Sequence, residues 1–423
     1  MPNQIPTPVF IADKMLEFLF ETTPVIEDCN RDYEADFLMT SDQIGRVVQI
    51  KNPPRFTTVD GPVINAIQST NFGLSPFAID KWKTIPIELT GMEKTFSNSK
   101  DLDLWAAKNI KPIVSPFRAA IETAIFELAN KVPALVGVPG TGPTTIDPIA
   151  AAQENMDNYE TPSERVCYLG TSGVRKFLGG ATPAASGYFN PAKELGEMLK
   201  SGQIMPSLAG FEMKKSNKIA HLTSGTFTST GGNVLANGVY QTGTSIAVDA
   251  FTTAKTLKKG DVITFGVLGT ATAVCGVNPV TGKTTNKLRQ FVITADVAAS
   301  GNAATLSISP PVIPSGAFKN ITGNTADLLG IPDNAEVIMH PSIVVNTTYA
   351  QNLAWWKKAI GLVVVPIAPL EGLKSETRTH EGISITFSTS GDIMNFKTIK
   401  RADMAFGVDI FQAYLDQVCR ITG

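Results

Sequence analysis

LKKGDVITFGV, residues 257–267, reads as a β-strand reached through a Lys-Lys-Gly-Asp turn, because β-branched and aromatic residues follow a Gly-Asp pair that punctuates the chain. Outward from it the composition is unusual. Residues 213–335 contain no glutamate, residues 106–354 contain no tryptophan, and Thr, Ser, Gly, Ala and Val dominate. Further strand candidates are SIAVDAF (245–251), LRQFVITADV (288–297) and ATLSISPPVI (304–313), separated by Gly, Asn and Pro turns. Several short strands at this spacing predict a small barrel or sandwich over residues 222–335. Mixed structure resumes at Glu336, so the all-β block is an insertion and not a tail.

The whole chain has 423 residues, which makes two or three folded units the expectation. Charged residues are only 17%, below the usual quarter, as expected of a neutral β-rich surface or of surface covered by other chains. A net charge of -2 supplies no electrostatic footprint for gripping nucleic acid. The opening MPNQIPTPVFIADKMLEFLFETTP lacks a basic segment and places acids among its apolar residues, so it does not read as a secretory signal. The run AIGLVVVPIAPL (359–370) is too short to span a bilayer and is broken by two prolines, so a soluble chain is expected. Cys29, Cys167, Cys275 and Cys419 lie far apart with no CxxC spacing, which suits reduced thiols in a cytoplasmic compartment.

The flanks of the insertion are mixed. Residues 8–21 predict an amphipathic helix with Val9, Leu16, Leu19 and Phe20 on a broad apolar face, stopped at Pro24. That face needs a partner, either a neighbouring subunit or its own domain. RVVQIK (46–51) and KWKTIPIEL (81–89) read as strands joined by a connection much longer than a hairpin needs, and a long projecting hairpin is the simplest picture. SPFRAAIETAIFELANKV (115–132) predicts the principal helix, capped by Ser115, with Pro116 in its first turn and Phe117, Ile121, Ala124, Ile125, Leu128 and Val132 at helical spacing. After the Pro/Gly linker VGVPGTGPTT, residues 164–180 read as strand, turn and helix, and a further helix is expected near 191–201. Beyond the insertion, TTYAQNLAWWKKAI (347–360) reads as helix and GLVVVPI (361–367) as strand.

Catalytic chemistry is nearly absent. His221, His340 and His380 form no HxxxH or HExxH pair. GTSG (170–173) stands between a strand and a helix, like a phosphate loop, but lacks GxGxxG, a GKS/T ending and the last glycine of GxSxG, so a tight turn is favoured. PGTGP (139–143) reads as a linker. Lys51, Lys81 and Glu88, which a cross-linking chemistry would need near the hairpin, read as solvated strand charges. For Trp355 and Trp356, one ring in the core and one at an interface is expected, in preference to ligand stacking.

The order of parts carries more information than any site. LKKGDVITFGV, LRQFVITADVAASGNAATLSISPPVI, NLAWWKKAIGLVVVPI, the C-terminal GISITFSTSGDIMNFKTIKRADMAFGVDIFQAYLDQVCRITG, ELANKV and GEMLKSGQIMPSLAGFE together are similar to the major capsid (coat) proteins of tailed phages. The subgroup resembled is that of short-tailed Salmonella-type phages, whose coat proteins carry an inserted β-barrel. The chain departs from it in having Trp355-Trp356 where an aromatic-His pair is expected, and in the uncharged loop NVLANGVYQTG (233–243).

The resemblance implies the α+β major capsid fold shared by tailed phages and herpesviruses. It divides the chain into an N-terminal arm (1–45), an extended hairpin loop (46–90), a peripheral domain with a spine helix (91–136), an axial domain (137–221 and 336–383) around the inserted barrel (222–335), and peripheral return strands (384–423). It implies a non-enzymatic structural protein, without cofactor or metal, that self-assembles as hexamers and pentamers into an icosahedral shell enclosing double-stranded phage DNA. The implied partners are scaffolding protein, a portal and tail-attachment proteins, with no membrane and no sequence-specific DNA contact, and assembly in the host bacterial cytoplasm. Phe10, Leu16, Arg55, Asp60, Phe72, Trp355 and Trp356 are the candidate inter-subunit contacts. A hydrolase with a β accessory domain, or a β-rich adhesin or tail component, are the alternatives.

Overall fold

A computed structural model describes residues 8–32, 47–56, 73–90, 110–140, 142–180, 206–227, 234–252, 255–299, 301–324, 326–340, 345–368, 372, 374–380, 383–392, 394–395 and 397–422. The chain forms two compact units. One comprises Met1–Ile50, Ser75–Ile125 and Ile360–Ile410; the other comprises Lys51–Leu74, Phe126–Ala359 and Phe411–Gly423.

The first unit is built on an antiparallel sheet around the long strand Lys397–Ile410. Lys81–Thr90 runs along one edge of that strand, and Ile383–Asp392 and then Ile360–Val365 along the other, with Lys374–His380 outermost. One sheet face presents Ile385, Phe387, Ala402, Met404 and Phe406, all buried. Helix α1 (Pro8–Thr22) packs on Lys374–His380 and Ile383–Asp392, burying Ile11, Met15, Leu16 and Leu19. Leu16 and Leu19 of the amphipathic face read from the sequence are therefore buried inside their own unit.

Three expectations are corrected here. Strand Val47–Lys51 pairs with Leu74–Ala78, and Lys81–Thr90 pairs with Lys397–Ile410, so the two strands expected to form one hairpin have different partners. Alternation specifies a half-buried strand but not its neighbour. Helix α2 is Lys111–Glu127, which places Pro112 in its first turn and Pro116 inside the helix, exposed. All six apolar positions expected on its buried face are buried. The α-helix passes into a 3-10 turn at Leu128–Lys131 before the chain extends at Val132. The third correction concerns residues 347–360, which are strands: Thr348–Ala350 and Asn352–Trp356 precede a turn and Ile360–Val365. A short run buried on both faces carries no period that separates strand from helix.

In the second unit a mixed six-stranded sheet has the order Leu135–Val136, Val418–Ile421, Asn352–Trp356, Arg165–Gly170, Phe211–Ser216, Ser207–Leu208. Helices α3 (Asp147–Asn158) and α4 (Thr171–Gly180) belong to the same unit. The C-terminal strand is thus a central member of this sheet, and the unit boundaries at Ile360 and Ile410 differ from the 336–383 and 384–423 division read from the sequence. The helix expected near 191–201 lies outside the described residues.

The insertion leaves this sheet through His221–Thr223 and returns through Thr348–Ala350, which pair antiparallel. Between them six strands follow the order Val337–Met339, Val262–Phe265, Phe291–Ile293, Ala303–Val312, Gly243–Asp249, Leu235–Ala236. The last meets the first: Leu235 bridges Glu336, Ala236 N–H donates to Ala335 O at 2.9 Å, and Val337 N–H to Val234 O at 2.8 Å. The sheet is therefore a closed barrel, which leaves no edge to be shielded by charge. Its core holds Phe227 against Phe251 and Phe265 against Phe291, at centroid separations of 5.9 and 5.5 Å, with Ile246, Leu306 and Ile308 among them.

Candidate functional site: the joint of the inserted barrel

The Lys-Lys-Gly-Asp turn is where the barrel is fixed to the sheet beneath it. Gly260 has φ +97°, a conformation open to glycine at little cost. Its N–H donates to Ile293 O and its carbonyl accepts from Arg420 Nη1, both at 2.8 Å. Buried Asp261 accepts from Lys258 N–H at 2.8 Å and Gly225 N–H at 3.0 Å. Burial pushes its carboxyl above the usual range, against the pull of those two donors and Arg420. Arg420 is fully buried, and burial brings its guanidinium down to about 10 despite the nearby Tyr349 phenol and Asp261 carboxyl, which pull it the other way. Its Nε and Nη2 have no hydrogen-bond partner among the described residues. An arginine of the C-terminal strand is therefore committed to a carbonyl of a turn 160 residues away.

A second group of contacts ties the barrel to α3 and the Leu135–Val136 strand. The Gln290 side chain accepts from Leu135 N–H at 2.8 Å and donates to Leu135 O at 3.0 Å, taking the place of a pairing strand. Arg289 Nη2 lies 2.6 Å from Asp416 Oδ1, and Nη1 donates to Tyr159 OH at 2.8 Å. Burial disfavours the Arg289 charge, but Asp416 and Tyr159 outweigh it and hold the group protonated. Asn278 Nδ2 donates to Asn158 O at 3.1 Å, and Lys287 pairs with Glu154 at 2.8 Å. A cavity of about 630 Å³ lies among these ties.

The seven contact candidates divide. Leu16, 2% exposed, and Trp355, 0% exposed, are core residues of their own units and offer no surface to a neighbour, which corrects their assignment. Trp355 stacks on Tyr168 at 5.0 Å because the strand register places both rings in one buried layer. Trp356 is half-buried with its ring edge-on to Tyr414 at 5.1 Å, and Phe10 is half-buried on α1. Arg55 is half-buried, 5.8 Å from the Phe318 ring and beside Asp416. Asp60 and Phe72 lie outside the described residues. Exposed apolar side chains occur at Val239 (73%) and Leu329 (69%) on the barrel, and at Met394 (93%) on a strand turn of the other unit.

GTSG indeed ends a strand and opens α4, and its Ser172 and Gly173, with Gly140, Gly142, Lys176 and His221, line a cleft of about 180 Å³. Lys81 pairs with Asp80 and Glu88 with Lys397 at the surface. Among the described residues no cluster of His, Cys, Asp or Glu has the arrangement of a metal site. Asp261 was read only as part of a turn, and Arg289, Gln290 and Arg420 were not singled out from the sequence. A lone arginine inside the apolar strand VCRI was the available signal.

A family model described as P22 coat protein, gene protein 5, matches residues 91–415. The chain is also similar to solved structures of Mycobacterium phage Che8 (11% identity, 94% of this chain and 90% of that one, TM-score 0.45), of the cyanophage P-SCSP1u capsid (11%, 89% and 83%, 0.39) and of the bacteriophage PhiM1 mature capsid (10%, 89% and 82%, 0.41). At TM-scores below 0.5 these likenesses add nothing to the family match. No curated protein matches the chain.

Proposed function

The chain belongs to the P22 coat protein family and is a phage major capsid protein that forms the virion shell, and from that premise we propose that its copies, as hexamers and pentamers, close into an icosahedral capsid around double-stranded DNA. The match over residues 91–415 carries this reading, because it runs from before α2 through the barrel to the long strand Lys397–Ile410. Closed symmetry limits growth: each copy presents several different patches to its neighbours, and the shell exhausts them. A net charge of -2 suits a wall that encloses DNA without gripping it.

In this reading the sheet unit built on Lys397–Ile410 corresponds to the peripheral domain, and the mixed sheet to the axial domain that carries the barrel. The role is structural, not enzymatic. Scaffolding protein, a portal and tail-attachment proteins are its proposed partners, and the host bacterial cytoplasm the place of assembly. Phe10, Arg55, Asp60, Phe72 and Trp356 remain proposed contacts between copies.

Sedimentation velocity of the purified chain across concentration, with and without a co-expressed scaffolding protein, tests the proposal, followed by electron microscopy of the fast fraction. Particles of many megadaltons with closed walls are expected. A species of about one chain's mass under both conditions would overturn it.

A further inference from the structure

We propose that Arg420 makes insertion of the C-terminal strand into the mixed sheet conditional on a formed barrel, so that this sheet is completed only after the barrel has folded. Val418–Ile421 stands second in the sheet, paired on one edge with Leu135–Val136 and on the other with Asn352–Trp356. All four of its residues are fully buried. The register puts Arg420 opposite Leu353 on one side and Leu135 on the other, and neither side chain offers an acceptor.

The compensating groups come from the barrel. Arg420 Nη1 donates to Gly260 O at 2.8 Å, whereas Gln351 Oε1, at 3.5 Å, stands at the limit of a hydrogen bond. The carboxyl whose charge favours the guanidinium is that of Asp261, the next residue of the same turn. The barrel shapes that turn: Gly260 N–H donates to Ile293 O and Ile293 N–H to Asp261 O, each at 2.8 Å, and Gly225 N–H holds the Asp261 side chain at 3.0 Å. Carbonyl and carboxyl are thus brought to Arg420 only when the strand Phe291–Ile293 and the entry into the barrel at Gly225 are in place.

Without the formed turn, the strand would carry a cation into a buried layer with only the distant Gln351 oxygen to accept from it, and a buried charge that loses its partner is strongly destabilising. An apolar side chain at this position makes no such demand, and replacing a buried ionic group by one of similar volume is often neutral or stabilising. Arg420 is therefore a folding checkpoint and not a simple tether. Its charge links the two events, and removing the charge while keeping the volume releases the C-terminal strand from the state of the barrel.

Hydrogen exchange of the full-length unassembled chain, read by mass spectrometry on peptides covering Val418–Ile421 and the barrel strand Ala303–Val312, tests this as a double-mutant cycle. Gly260→Val, which strains a turn at φ +97°, should speed exchange of Val418–Ile421 at least tenfold on its own and less than threefold when combined with Arg420→Met. Its effect on Ala303–Val312 should be the same in both backgrounds. Unchanged exchange of Val418–Ile421 in Gly260→Val would overturn the proposal, and so would equal acceleration in the two backgrounds, which reports general loosening alone. If Gly260→Val does not fold, Gly260→Ala takes its place, with at least threefold and less than twofold as the two limits. Arg420→Met should itself fold, and its failure together with that of Arg420→Leu would also overturn the proposal, because an apolar side chain needs no acceptor.

Discussion

Gly260→Val is the substitution most directly set by the geometry of the barrel joint. At φ +97° a β-branched residue is strained by about 1–3 kcal/mol. A Cβ at this position would lie 2.9 Å from Leu222 Cδ1 and 3.1 Å from Asn130 Oδ1, so the ends of these two flexible side chains must give way, at a further cost of about 1 kcal/mol, the low end for an overpacked site. If the turn moves instead, its carbonyl leaves Arg420 Nη1 and a charged hydrogen bond of about 1.5–3 kcal/mol is lost. These are alternative routes of relief, so the lower-cost one sets the total, about 2–4 kcal/mol, a large part of a domain stability of about 5–15 kcal/mol. Urea unfolding of the unassembled chain, followed by tryptophan fluorescence and circular dichroism, measures it, with soluble yield falling in parallel. Gly260→Ala should fall between wild type and Gly260→Val. A Gly260→Val midpoint equal to wild type would refute the reasoning, because neither the positive φ nor the two close contacts could then be present.

Leu16→Ala should destabilise the unassembled chain by about 2–5 kcal/mol, because α1 docks on its own sheet; no change in urea midpoint would mean that the helix finds its partner elsewhere. Trp355→Ala should cost about 3–5 kcal/mol and Trp356→Ala about 1 kcal/mol, and equal midpoints for the two variants would contradict the burial difference between the rings. Burial pushes the Cys419 thiol up to about 12 from an unfolded value near 9.0, and Cys29 and Cys167 are raised by the same cause. Above about pH 9 the unfolded chain loses these protons first, so stability is fully present below that pH and falls by about 1.4 kcal/mol per pH unit for each such thiol. Cys419→Ala should make the decline between pH 9 and 11 shallower by that amount in urea midpoints, and an unchanged slope would sink the assignment.

Elements whose burial is periodic and local could be read from adjacent residues alone. The 8–21 helix, the buried face of α2, and the barrel strands at 245–251, 261–267 and 304–313 were legible, because side-chain alternation and turn glycines are properties of a few adjacent residues, whereas the run at 288–297 holds the short strand Phe291–Ile293 between the ends of two others. The ordered segments likewise indicated the coat protein family, which the match over residues 91–415 bears out. Tertiary structure alone decided which strands became neighbours. Lys81–Thr90 lies on a strand more than 300 residues later, and the run at 352–356 is a strand because both its edges are paired, one with residues 165–170 and the other with 418–421. The joint was invisible for the same reason. Arg420, Gly260, Gln290 and Leu135 acquire their roles only when distant segments meet, and no local period encodes a hydrogen bond between a C-terminal arginine and the carbonyl of a turn in an inserted barrel.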